Sequence, residues 1–258
     1  MKILLSPAKK LTSEGIETRF DVGEPKYISE AQYLVDKLKK KSPLSLRRMM
    51  GISEDLAQLN VDRFQRWTPT PDDGEASQAV LMFQGDVYLG LEASTWNKSD
   101  MNYAQKNLRI LSGLYGMLKP LDRVMPYRLE MGSDFKVTAA KKNLYHYWGD
   151  TIKDNLVEEL ESEDGPVIVN LASNEYSKAA KLNKTGVRVI TPSFKDAHNG
   201  EYKMMSFFAK KARGMMAKYA VKNKIKNVED LKAFNSEGYY FNNKLSDGDN
   251  WVFTRDKR

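Results

Sequence analysis

The sequence predicts a mixed α/β fold in a single domain, and three observations predict it. Short apolar runs at residues 2–5, 79–83, 167–171 and 187–191 have strand length and alternate with amphipathic stretches of helical period. No linker, internal repeat or low-complexity tract interrupts the 258 residues, so one domain spanning 1–258 is the economical reading. Around the central mixed sheet this implies, a helical insertion is expected near residues 29–67. Two aromatic runs, 239–241 and 251–254, flank Ser246-Asp247-Gly248-Asp249 and predict a C-terminal β-hairpin.

The first run, KILL at 2–5, stops at Ser6-Pro7 and reads as a buried strand. Ala8-Lys9-Lys10 then lies beyond its carboxyl end, the edge where α/β sheets hold ligands. Lys9 and Lys10 are therefore candidates for an anionic group. Residues 12–27, broken by Gly15, Gly23 and Pro25, read as a loop. Ser29 with Gln32 three positions later predicts a capping box for a helix running to about Lys41.

Ser42-Pro43 starts another helix, with Ser as N-cap and Pro at the first helical position. The stretch SPLSLRRMMGISEDLAQLN then reads as helix (43–49), tight turn (Met50-Gly51-Ile52-Ser53) and second helix. Leu46, Met49, Ile52, Leu56, Ala57 and Leu59 supply the packing between them. This resembles a helix–hairpin–helix element in which Ser53 replaces the second glycine. In such elements the backbone around Gly51 and Ser53 grips a nucleic-acid phosphate without reading bases, and Arg47 and Arg48 would flank it. A plain αα-hairpin is the alternative, because any such turn needs a glycine. A loop is expected over 60–73, a buried strand over 79–83, and a helix starting near Ser99 with Asp100 in its first turn.

The next stretch, RILSGLYGMLKPLDRVMPYRLEMG at 109–132, organises the rest. It keeps Leu111, Leu114, Leu118, Leu121 and Leu129 while carrying Arg109, Lys119, Asp122, Arg123, Arg128 and Glu130, the pattern of a polar seam facing a cleft. Arg109 and Arg128 are placed to hold an anion bidentately. Glu130, Asp122 and, further on, Glu175 are candidates for general acid or base, with Tyr115 or Ser112 as proton donor or orienter. A kinked helix–loop with ordinary ion pairs is the alternative.

Residues 167–171 (VIVNL) form the clearest parallel-type strand, with Ser173 and Glu175 at its carboxyl end opening a helix. Ser173 and Glu175 are therefore candidate site residues, because backbone amides at a helix start accept anions and position donors, with an N-cap at Ser173 as the alternative that accounts for both without chemistry. In FFAKKARGMMAKYAVKNKIK, Phe208, Ala212, Met215 and Tyr219 form the core stripe, and Lys210, Lys211 and Arg213 occupy the remaining arc. Gly214 in mid-helix implies close packing or close ligand approach.

Composition limits the chemistry. Without cysteine there is no disulfide, thiolate metal site or peroxidatic thiol, and two widely separated histidines exclude a His-rich metal centre. No metal and no cofactor are expected. The 41 Lys+Arg against 34 Asp+Glu, net +7, imply an anionic partner only if the excess clusters on one face. No run is long enough to span a membrane, and the N-terminus reads as a strand rather than a leader, so a cytoplasmic location is expected.

The blocks SPAK (6–9), FQGDVYLGL (83–91), RILSGLYGMLKPLD (109–122), PYRLEMG (126–132), YWGD (147–150), VNLASNEY (169–176), SFFAKKARGMM (206–216) and FNSEGYYF (234–241) resemble, in collinear order, the bacterial YaaA family of peroxide stress resistance proteins. The resemblance implies a mixed α/β fold with a helix–hairpin–helix element, a basic cleft, DNA as partner, and a role in limiting iron-driven oxidative damage. It assigns no catalytic residue. Two expectations follow: a DNA-binding protection protein, and an enzyme acting on a phosphorylated or nucleotide-like small molecule. They differ spatially. A small-molecule site needs Lys9, Arg128, Glu175 and Lys210 around one concavity, whereas nucleic-acid binding favours an open basic face continuous with the hairpin.

Overall fold

The computed structural model describes residues 1–12, 20–72 and 74–256, and these form a mixed α/β structure built on a five-stranded and a four-stranded sheet, with two further two-stranded ladders. The central sheet contains the strands Lys2–Leu5, Leu108–Ser112, Gly116–Leu118, Val167–Asn170 and Arg188–Ile190. Lys2–Leu5 lies in the middle, parallel to Leu108–Ser112 on one side and to Val167–Asn170 on the other, with Ile3 opposite both Leu108 and Val169. Arg188–Ile190 extends the sheet in parallel, and Gly116–Leu118 closes the opposite edge antiparallel. The three inner strands are buried at every position, as parallel strands covered on both faces must be.

The second sheet has four strands. Ser193–His198 runs parallel to Val252–Arg255, flanked by the antiparallel strands Glu201–Lys203 and Tyr240–Phe241. The expected C-terminal hairpin is thus present, but it is one half of a larger sheet. The strand at Ser193–His198 was hidden by its composition: SFKDAH alternates burial along its first four residues, yet Asp196 points inward to pair with buried Arg255 (Nε–Oδ1 2.7 Å).

Several local expectations are corrected. The first helix is Ile28–Leu38, and its N-cap is Tyr27 without a side-chain cap, so the Ser29/Gln32 capping box does not form. The helix after the hairpin runs Glu54–Arg66 rather than ending at Asn60, with Asn60 and Phe64 buried on its inner face. Residues Ala79–Met82 make one helical turn, followed by the two-residue strand Phe83–Gln84. An all-apolar run of this length has no period by which to choose. The seam opens as a strand hairpin, Leu108–Ser112 with Gly116–Leu118, not as a kinked helix.

The αα-hairpin itself forms as expected. Ser42 caps Pro43–Met50, Gly51 ends it in the left-handed region (φ 63°), and Ser53 accepts a hydrogen bond from the Leu56 amide to start Glu54–Arg66. No described helix is long and apolar enough to cross a membrane.

Candidate functional site

Where the central strands end, a cavity of about 430 Å³ opens. Its floor is made by two adjacent strand ends. Ser6 follows Lys2–Leu5 and Ser173 follows Val167–Asn170; the Ser173 amide donates to Ser6 Oγ at 2.8 Å, and the Ser6 hydroxyl donates to Ser173 Oγ at 3.3 Å. The Tyr88 hydroxyl donates to the Ser6 carbonyl at 3.0 Å and ties this floor to the helix Asp86–Leu91. Ser173 occupies the N-cap position of Asn174–Ala179, yet its hydroxyl faces Ser6 instead of capping. Chain connectivity alone puts these serines 167 positions apart, so only the parallel register joins them.

One wall is the segment Tyr127–Arg128–Leu129–Glu130. Gly113 makes its position possible, because a Cβ there would sit 2.3 Å from the Leu129 carbonyl oxygen. The Tyr127 hydroxyl shares a 2.6 Å hydrogen bond with Ser112, and the ring meets Tyr115 edge-on at 5.3 Å. Ser112 and Tyr115 therefore hold this wall from behind and do not line the cavity. The Tyr115 hydroxyl accepts from Trp67 Nε1 at 2.8 Å, and burial pushes its pKa up to about 12. Burial likewise raises Tyr127 and Tyr176.

The opposite wall is the helix Ser206–Lys222, which presents Lys210 and Arg213. It docks on Asp86–Leu91 at backbone distance: a Cβ on Gly214 would lie 1.8 Å from the Val87 carbonyl oxygen, and one on Gly90 would lie 2.2 Å from that of Lys211. Close packing, not ligand approach, explains the mid-helix glycine.

The charges of the cavity fall into two groups. Glu130 Oε1 takes Lys9 Nζ at 3.2 Å and Arg128 Nη2 at 3.0 Å, so these two cations are already answered. Lys10, Lys210 and Arg213 also line the cavity, and none has a carboxylate within ion-pair distance among the described residues. Arg213 is half-buried, and burial alone moves its pKa below the usual arginine range. Glu175 Oε1 accepts the Gly132 amide at 2.7 Å, which fixes that carboxylate at the rim.

The other candidates lie elsewhere. Arg109 is buried and directed away from the cavity: Nε meets Glu159 Oε2 at 2.8 Å, and Nη1 donates to the Gln105 and Leu108 carbonyls. It lines a second, separate cavity of about 320 Å³ with Lys119 and Asp122. Burial raises the Asp122 pKa to about 6, although its carboxylate accepts the Lys119 amide at 2.8 Å. Lys211 pairs with Glu237 outside the cavity. Arg47, Arg48, Gly51 and Ser53 sit on the exposed αα-hairpin, which does not line the cavity. The second helix of that hairpin opens on Glu54 and Asp55, whose carboxylates already complement its amino end, and Arg47 and Arg48 complement the carboxyl end of the first. The charges of the turn are thus those of an ordinary αα-hairpin.

The concavity predicted for Lys9, Arg128, Glu175 and Lys210 is therefore present, joined by Glu130, Ser173 and Arg213. Gln84 and Asp86, just beyond the apolar run at 79–83, also line the cavity and were not among the candidates. The signal was there in Gly85 (φ 129°), a conformation that turns the chain into the cavity rim. Among the described residues no cluster of three or more His, Asp or Glu side chains is arranged to hold a metal ion.

The family model for peroxide stress protein YaaA matches residues 1–245. The chain belongs to the YaaA family of peroxide stress proteins. A UPF0246 protein of Hahella chejuensis is 46% identical over 256 residues, covering 99% of this chain and 100% of its own length. One from Colwellia psychrerythraea is 46% identical over 255 residues, 99% of each chain, and one from Aliivibrio fischeri 44% over 258 residues, 100% of this chain and 99% of its own. Alignment end to end means that both walls and the floor of the cavity lie inside the matched region of this YaaA-family chain.

Proposed function

We propose that this YaaA-family protein serves peroxide resistance by binding DNA through its phosphates, with the cations of the cavity as the grip. Arg213 carries the reading. A guanidinium held partly out of water with no carboxylate partner among the described residues is unfavourable until an anion arrives. Lys10 and Lys210 line the same cavity, exposed to solvent but likewise without a carboxylate partner among the described residues, so the ligand is expected to bring concentrated negative charge. The net +7 adds long-range attraction to a polyanion. The αα-hairpin is a secondary contact in this proposal, offering the exposed Arg47 and Arg48 to a further phosphate. A cytoplasmic location and a part in limiting iron-driven DNA damage belong to the same proposal.

A second reading, an enzyme acting on a phosphorylated or nucleotide-like small molecule, is favoured by the spatial criterion, since Lys9, Arg128, Glu175 and Lys210 surround one concavity that the αα-hairpin does not line. The cavity, at about 430 Å³, has the size of a small-molecule site and sets Glu130 and Glu175 beside the cations. Titrating the protein with labelled duplex and with free nucleotides across a salt series separates the two. Three phosphate contacts predict a slope of log K against log salt near –3, by about –0.9 per phosphate. A flat response to salt removes the DNA reading; nucleotide binding without DNA binding leaves the second.

A further inference from the structure

We infer that the cavity takes one unstacked nucleotide of the bound strand, its phosphate against Lys210 and Arg213 and its base against Glu175, with guanine preferred. The inference rests on the nucleic-acid reading above and narrows it.

Shape comes first. A concavity of about 430 Å³ has room for a single nucleotide and none for a stacked duplex, so nucleic acid can enter only as a lifted-out or single-stranded unit. The lining then divides by chemistry. Pro7, Ala8 and the edges of the buried Leu171, Tyr127 and Tyr176 give the cavity an apolar lining where a base can rest, and Lys210 and Arg213, less than one helical turn apart, give the unanswered positive charge for the phosphate. Phe207 is 55% exposed and precedes Lys210 by three positions on the same helix. Side chains at that spacing are neighbours, which places an aromatic platform beside the phosphate grip for the adjoining base.

Glu175 supplies the selectivity. Its Oε1 is held by the Gly132 amide, while Oε2 has no hydrogen-bond partner among the described residues. A fixed carboxylate accepts hydrogen bonds only, so it favours a base edge rich in N–H donors. Guanine alone offers two adjacent donors, N1–H and the N2 amino group. Thymine flanks its single N–H with two carbonyl oxygens that the carboxylate repels. Glu130 does not compete for this role, because Lys9 and Arg128 already neutralise its charge, whereas no cation pairs with Glu175 among the described residues.

The test measures binding of short thymine strands carrying one guanine or none, by fluorescence anisotropy across a salt series. The guanine strand is expected to bind at least about fivefold tighter, the low end for a bidentate base contact. In Glu175→Gln, which still accepts the Gly132 amide, that preference should shrink to less than about twofold while the salt slope is kept. Phe207→Ala should weaken both strands alike, by about fivefold or more. Equal affinity of the wild-type protein for both strands, or a guanine preference that survives Glu175→Gln, overturns the base pocket and leaves the phosphate grip standing. Absence of salt-dependent binding by any strand removes both.

Discussion

The central sheet has charged groups at both ends of its strands, and the two ends treat them oppositely. At the amino end, Arg109 is spent on Glu159 and two carbonyls, Lys2 donates to the Lys106 carbonyl at 2.9 Å, and the Met1 amino group meets Glu163 at 2.9 Å. Burial, then the nearby Arg109 charge, pushes the Lys2 pKa below the usual lysine range, a sign of how tightly that centre is enclosed. At the carboxyl end, Lys10, Lys210 and Arg213 have no such partners among the described residues. Both ends draw on the same stretch of sequence, since 109–132 contributes Arg109 to one and Arg128 and Glu130 to the other. Positive charge therefore does not mark a binding site; positive charge left unanswered does.

Breaking the amino-end centre should have the largest effect. Arg109→Met leaves Glu159 with only the longer Lys2 contact at 3.9 Å and the two carbonyls without their donor, and about 3 kcal/mol of stability should be lost in denaturant unfolding. Nucleic-acid affinity per folded molecule should stay within about twofold. A large loss of affinity would erase the distinction between the two ends.

Acidity probes the same end through Asp122. Its folded pKa of about 6 lies above the ordinary value near 4, so the folded protein keeps a proton that the unfolded chain releases. Stability should fall as pH rises from about 4 to about 6, by about 2–3 kcal/mol, and level off above. Asp122→Asn should flatten that segment of a stability–pH curve.

The carboxyl end responds in other ways. Gly214→Ala pushes a Cβ into the Val87 carbonyl and should lower stability by about 1–3 kcal/mol. It should also weaken binding, because the helix carrying Lys210 and Arg213 must shift. Arg213→Met should reduce DNA affinity about tenfold and make the salt slope shallower by about 0.9 without lowering the melting temperature. A marked drop in melting temperature would mean that Arg213 has a structural role after all. The smallest change is expected from Glu130→Gln, which releases Lys9 and Arg128 and should tighten DNA binding a few-fold with a steeper salt slope.

Much of the fold was legible from local pattern. The first strand, VIVN, the capped helix at Ser42-Pro43, the Gly51 turn and the long basic helix all follow from periods and caps that act within a few residues. The failures share a cause. Residues 79–82 and SFKDAH have their conformation set by what lies across from them, a partner strand or a buried Arg255, and no local period records that.

What the sequence determined by itself was the inventory: which residues are charged, where strands end, that no thiol takes part, and the family to which the collinear blocks point. Which cations face one another was decided only in the folded chain. Lys9 and Arg128 meet Glu130, Arg109 meets Glu159, and Arg213 meets no carboxylate among the described residues. Pairing of charges depends on distances of a few ångströms between groups far apart along the chain. Such distances are set by strand register and by two glycines, Gly90 and Gly214, that let helices touch.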